Sequence, residues 1–325
     1  DDECFRKIEA VDLVLWLEQS WVVDFGVEPA FDFSGGLGMF GVEAHGLSQL
    51  VGLPFLLSKI GNKETPFCLL LQYKAPHREW SPDKKYENLW ENQDLPYPAT
   101  FNDQYKGREK TAGDTHMTMD FLNRQDMKLT PPDSLSGKKL AKWFDYGNNP
   151  GEIVSPNETL SGEELRKWKY QRYIKDYLAT IKSVDDNIGR VLNYLKENGL
   201  EENTIIVYCS DQGFFLGEHG WFDKRFIYDE SFKTPLMVSW PKHIKPGQKS
   251  DALVQNLDFA QTFLDAAGIP APKDMQGQSL IPLMTGKSWS RDAVYYHYYE
   301  YPAEHMVNRS EEHTSELQSP MFISY

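Results

Sequence analysis

The 325-residue chain is 40% hydrophobic and 25% charged, a globular composition that excludes a disordered or fibrous protein. Its 34 basic against 48 acidic side chains give a net charge of −14, which excludes a general nucleic-acid binder with a basic face. No apolar run approaches a membrane span, no signal peptide opens the chain, and Cys4, Cys68 and Cys209 lie too far apart for a disulfide framework or a metal spacing.

Residues 1–62 resist assignment, because Val22–Gly46 mixes apolar residues and glycines without a period of 2 or 3.6. Gly36-Leu37-Gly38-Met39-Phe40-Gly41 formally matches G-x-G-x-x-G. A dinucleotide site would need a strong strand before it and an acid ending a second strand, and neither Phe31–Ser34 nor Glu64 qualifies. A Gly-rich loop or a frame-shifted stretch is the reading preferred here. Leu47–Ile60 is expected to be a short helix ending at Gly61-Asn62.

From there the chain is more regular. Pro66–Tyr73 is a continuous apolar run, as in a strand with both faces covered, and Lys74-Ala75-Pro76-His77-Arg78 follows it. Glu79–Leu160 is an excursion expected to carry short helices and to cover a site. Ser161–Asn198 is the clearest helix: Ser161 and Glu164 suggest a capping box, Asn198-Gly199 a stop. Tyr173, Tyr177, Ile181, Val184, Ile188, Val191 and Leu195 form one apolar stripe along it. Asp185 and Asp186 on this helix read as a solvated face. Thr204–Ser210 is a β-branched buried strand, Pro235–Trp240 another, and Leu257–Ala267 a helix closed by Gly268. Cys68 and Cys209 sit in apolar runs as core residues. This alternation predicts an α/β fold, a mostly parallel sheet flanked by helices. Arg309–Ser319 reads RSEEHTSELQS, the translation of a common sequencing-library adapter, so residues 309–325 are expected to be foreign to the native gene.

Ligands of such sheets bind beyond the C-terminal ends of the strands. Two clusters fall there, Lys74–Arg78 and Ser210–Arg225. Asp211 ends an apolar strand, where a carboxylate needs a partner or a metal, and Gln212 adds an amide oxygen of the kind Ca²⁺ or Mg²⁺ accepts. Lys224 and Arg225 could clamp an oxyanion, and His77 and His219 could move protons near neutral pH. A strand-end Asp capping a turn among ordinary surface Lys and His is the plainer alternative, and it accounts for Asp211 alone better than for the whole string.

Ser210–Arg225 resembles the calcium-and-sulfate segment of the sulfatase family, within the alkaline-phosphatase-like superfamily. Tyr73–Arg78 resembles the K-x-P-H segment of its exported bacterial branch, related to N-acetylglucosamine-6-sulfatases and to heparan- or mucin-desulfating enzymes. Tyr105–Arg108, Asp185–Arg190, Gln255–Gly268 and Met275–Leu280 match that branch in order, so the likeness runs from about Pro66 to Asn308. Residues 63–308 would then be the C-terminal part of a sulfatase catalytic domain, incomplete at both ends.

The resemblance implies a hydrolase of sulfuric esters on sulfated sugars, glycosaminoglycans or mucin glycans, with Ca²⁺ favoured over Mg²⁺. Asp211 and Gln212 would be calcium ligands. Lys224 would contact the sulfate, and His77 would bind it and serve as a candidate acid. Lys74, His219, Arg225 and His305 would touch substrate. The resemblance also implies a periplasmic or extracellular location, a sulfated carbohydrate as partner, and a formylglycine nucleophile made from Cys or Ser. That nucleophile belongs in a C/S-x-P/A-x-R motif upstream of Pro66, and none of Cys4, Cys68 or Cys209 sits in one. The polypeptide as written is therefore expected to be inactive. A phosphodiesterase or phosphatase of the same superfamily and a non-catalytic sulfated-glycan binding module are the alternative functions.

Overall fold

The computed structural model describes residues 12–18, 38–44, 66–131, 133–143, 160–296 and 321–324. The predicted helix at Leu47–Ile60 and the candidate His305 lie outside these residues.

The main sheet contains β1 (Asp12–Glu18), β2 (Gly38–Ala44), β3 (Phe67–Tyr73), β4 (Thr204–Ser210) and β7 (Leu236–Ser239), in the order β2-β3-β1-β4-β7. β2, β3, β1 and β4 run parallel, and β7 pairs antiparallel with β4. A mostly parallel sheet was expected. The two strands within residues 1–62 were not, because their segments carry no clean period of 2. Gly38 and Gly41 lie inside β2, paired with Phe67 and Leu70, so the G-x-G-x-x-G match is strand and not a phosphate loop.

Alternation along β3 and β4 decides the layers. Phe67, Leu69, Leu71 and Tyr73 with Ile206 meet Val184, Val191 and Leu195 of α1 (Gly162–Glu197). Ile205, Val207 and Cys209 point the other way, toward Trp240 and toward Phe259 of α2 (Leu257–Ala266). Each such side chain contributes about 1.5–3 kcal/mol on leaving water. Cys209 is buried and Cys68 half-buried, its thiol pushed up to about 11 by burial, as expected of core thiols. Above the sheet, Tyr170, Tyr173 and Tyr177 of α1 pack with Trp80, Phe101 and Phe222 from the excursion and the loop after β4.

Helix ends show where local rules hold. Gly199 adopts φ +64 after Asn198, and the Leu200 N–H donates to the Leu195 carbonyl at 2.8 Å, a Schellman-type closure. At the other end Ser161 occupies the cap position but makes no side-chain cap bond, so the predicted capping box is not formed. Asp185 and Asp186 are solvated as expected; Asp186 pairs with Lys85 and receives the Tyr86 hydroxyl at 2.6 Å. β8 (Ala293–Tyr296) pairs antiparallel with β9 (Met321–Ser324).

Candidate active site

Because β3, β1 and β4 are parallel and in register, Tyr73, Glu18 and Ser210 end side by side. The segments after β3 and β4 therefore emerge at one edge, on either side of β1.

After β3 the chain makes a tight turn, with His77 N–H donating to the Lys74 carbonyl at 2.8 Å. Lys74 itself is exposed. His77 Nδ1 donates to the Arg78 carbonyl at 2.8 Å, which fixes the ring. Burial, and next the charge of Lys224, hold the His77 imidazole below its usual pKa. Arg78 makes a bidentate pair with buried Asp126, 2.9 and 2.5 Å, and lies 5.0 Å from the Phe222 ring centroid. Asp126 is fixed in turn by Asn123, whose N–H it accepts at 3.0 Å and whose side-chain oxygen accepts the Asp126 N–H at 2.9 Å.

After β4, β5 (Phe215–Leu216) and β6 (Phe222–Asp223) form a small hairpin that returns the chain to the sheet edge. Gly213 lies against the backbone of Glu230 and Ser231, and its N–H donates to the Ser231 carbonyl at 2.9 Å. A Cβ there would come within 2.1 Å of the Glu230 oxygen, so the sequence can place only glycine at this position. Asp223, Lys224 and Arg225 are all buried. Asp223 Oδ1 accepts the Lys224 N–H at 2.8 Å and an Arg225 Nη1 bond at 3.2 Å.

The charges of this edge act on one another. Burial lowers the Lys224 pKa; Asp223 opposes this, Arg225 adds to it, and Asp211 and Arg78 also reach it. Lys224 Nζ stands 5.6 Å from the Phe214 ring centroid. Asp211 is pushed up to about 7 by burial, against the pull of Lys224. The Asn256 side chain donates to the Asp211 carbonyl at 3.0 Å, and Ser210 Oγ to the Gln212 carbonyl at 2.8 Å. The result is a partly buried cationic patch of Lys224, Arg225 and Arg78, with His77 beside it and a protonatable Asp211 at its margin. Such a patch can hold a tetrahedral oxyanion.

Asp211, Lys224, Arg225 and His77 are thus brought together, and Gln212 adjoins Asp211 in the chain. His219 lies apart from these side chains, in the turn between β5 and β6. Its Nδ1 lies 2.8 Å from the Asp103 carboxylate, and its ring packs among Phe215, Trp221 and Tyr228. With φ +57 it shapes the Gly217–Gly220 turn. Arg78 and Asp126 are the members that sequence reasoning missed. Arg78 stood within the quoted segment, but Asp126 lies 48 positions away in an aperiodic stretch that carries no signal. Gln255–Gly268 and Met275–Leu280 are joined by buried Asp258, which accepts the N–H groups of Gln255 and Gln278 and a bidentate Arg291 bond at 2.6 and 2.7 Å.

Calcium takes six to eight oxygen ligands. Among the described residues no group of three or more His, Cys, Asp or Glu converges as a cage. No helix of the described residues is long and apolar enough to cross a membrane.

The mostly parallel α/β sheet, with its cationic patch beyond the C-terminal strand ends, has the alkaline-phosphatase-like fold of the hydrolases on which it superposes. Residues 217–316 match the family described as N-sulphoglucosamine sulphohydrolase, C-terminal. The chain is 46% identical over 269 residues to N-acetylglucosamine-6-O-sulfatase of Bacteroides thetaiotaomicron, covering 76% of this chain and 48% of that protein. It is 31% identical over 249 residues to N-acetylglucosamine-6-sulfatase of Capra hircus, covering 75% and 36% respectively. A structure solved in complex with its substrate D-glucosamine-2-N,6-O-disulfate superposes with a TM-score of 0.71 at 36% identity, over 91% of this chain and 67% of that one. The chain belongs to the sulfatase family.

Proposed function

We propose that the chain is part of a sulfuric ester hydrolase acting on 6-O-sulfated glucosamine units of glycans. The observation that carries this reading is the cationic patch of Lys224, Arg225 and Arg78 at the shared edge of β3 and β4, with His77 beside it. The names of its relatives point to the same chemistry, and the chain spans about half the length of the first of them.

In this reading Lys224 and Arg225 bind sulfate oxygens. His77 hydrogen-bonds the ester through Nε2. Burial and Lys224 lower the proton affinity of the imidazole, and a sulfate anion beside Lys224 offsets that charge and raises it again, which favours His77 as the acid at the leaving oxygen. Asp211 and Gln212 would hold Ca²⁺, which when bound supplies positive charge to the transferring group. Lys74 and His305 remain candidates for contact with the rest of the sugar. A periplasmic or extracellular location follows from the same reading.

No C/S-x-P/A-x-R motif occurs in the sequence, so the 325-residue polypeptide binds but does not turn over. Calorimetry with N-acetylglucosamine 6-sulfate and Ca²⁺ tests both halves. Binding by the chain, at least tenfold weaker in Lys224→Ala, supports the reading. Equal binding by the two sinks it, and formylglycine-dependent sulfate release by the chain overturns its inactivity.

A further inference from the structure

A groove of about 470 Å³ opens on the far side of α1 from the oxyanion patch. Helix residues advance by about 100° each, so Trp168, Arg172 and Lys175 form a stripe roughly opposite Tyr173 and Tyr177, which pack toward Phe222 and Phe214. The opposing wall is the 87–97 segment, which brings Trp90 and Tyr97.

The walls are fixed before any ligand arrives. The Gln171 amide makes a reciprocal pair with the Leu95 backbone, 2.9 and 2.8 Å, and Tyr170 donates to the Pro96 carbonyl at 2.7 Å. Tyr97 is seated against Phe101 and Tyr170, with ring centroids 5.0 and 4.9 Å away. Arg172 pairs with Asp176 at 3.0 Å, and Lys175 with Asp94 at 3.5 Å.

The chemistry of the lining selects a ligand class. Four carboxylates face three cations, a balance that repels a polyanion. A purely apolar ligand would strip water from these charges beside the aromatic faces and replace none of its hydrogen bonds. A pyranose offers what both need: a C–H face for Trp90 and Trp168, and hydroxyls that donate to carboxylates and accept from ammonium and guanidinium groups. The volume lies in the range of small-ligand sites. We propose that this groove binds an uncharged saccharide unit, separately from the sulfated unit assigned to the oxyanion patch.

The test titrates the full chain with N,N′-diacetylchitobiose by calorimetry, alongside Trp90→Ala, Glu91→Gln and Lys224→Ala. Saturable binding in the millimolar range or tighter is expected, weakened at least tenfold in Trp90→Ala and severalfold in Glu91→Gln, and unchanged in Lys224→Ala. Glu91 is exposed, so its substitution probes the groove without threatening the fold. Loss in Lys224→Ala with retention in both groove variants would place the sugar in the oxyanion patch and overturn the proposal. So would the absence of saturable binding, or a preference of the groove for a sulfated disaccharide. Failure of the sulfated sugar to bind at Lys224 would leave these outcomes untouched, so the two readings fail separately.

Discussion

The segments after β3 and β4 reach the same sheet edge by different means. The turn at Lys74–Arg78 is held from outside, by Asp126 of the excursion gripping Arg78 at 2.5 and 2.9 Å. The Asp211–Arg225 loop is held at many points: inside by the β5–β6 hairpin and the Asp223 bonds to its two successors, and from outside by the Ser231 carbonyl on Gly213, Asn256 on Asp211 and the Tyr173 hydroxyl on the Phe215 carbonyl. A site split in this way has one half that depends on a single distant carboxylate and another whose support is spread over many bonds.

Removing the outside support gives the largest effect. Asp126→Ala leaves the Arg78 guanidinium half-buried without its carboxylate, and urea unfolding should show a loss of about 3 kcal/mol, the low end for a broken buried pair because Arg78 keeps some exposure. Sulfated-sugar binding should weaken with it; unchanged stability would mean that the turn holds itself after all. Gly213→Ala attacks the other half. Its methyl meets the Glu230 carbonyl, so a loss of roughly 1–3 kcal/mol is expected from the same measurement, and a neutral result would show that the Glu230–Ser231 backbone yields.

The excursion that supplies Asp126 is itself anchored on a buried lysine. Lys169 Nζ donates to the carbonyls of Asp120 and of Leu122, the latter at 3.0 Å. Burial holds its pKa down to about 8, against 10.5 for the unfolded side chain, while Asp120 and Asp126 pull the other way. Between these values the unfolded chain binds a proton that the folded chain has released, so stability rises with pH there. The wild type should gain about 1.5 kcal/mol relative to Lys169→Met between pH 8 and 9.5, measured as the difference between their unfolding curves. Parallel curves would deny Lys169 this role. The smallest effect belongs to a site remote from both halves: Ser161→Ala should change stability by less than about 0.5 kcal/mol, because Ser161 makes no cap bond. A loss near 1 kcal/mol would restore the capping box.

Most of the sheet and both long helices were legible because burial on two faces leaves continuous apolar runs at β3 and β4, and burial on one face leaves the stripe along α1. β1 carries the same kind of apolar run, Leu13–Leu17, but in a segment without readable flanking elements to frame it, and β2 holds two glycines within Gly38–Ala44. In the site, Asp211, Lys224, Arg225 and His77 stand beside strands whose ends could be read. His219 looked equivalent in the string, yet one hairpin turn carries it into an aromatic nest with Asp103. Asp126 had no local mark, because a carboxylate that grips an arginine 48 positions away leaves no period behind it.

The position of β1 has a consequence for how the chain acquires its shape during synthesis. β1 lies between β3 and β4, and pairs with both along its length. The strand between them is made before either neighbour, and its second neighbour begins only at Thr204. At about 5–20 residues per second, the wait is on the order of ten to forty seconds. Throughout that interval Asp12–Glu18 has at least one unpaired edge, the kind of surface that invites pairing with another chain.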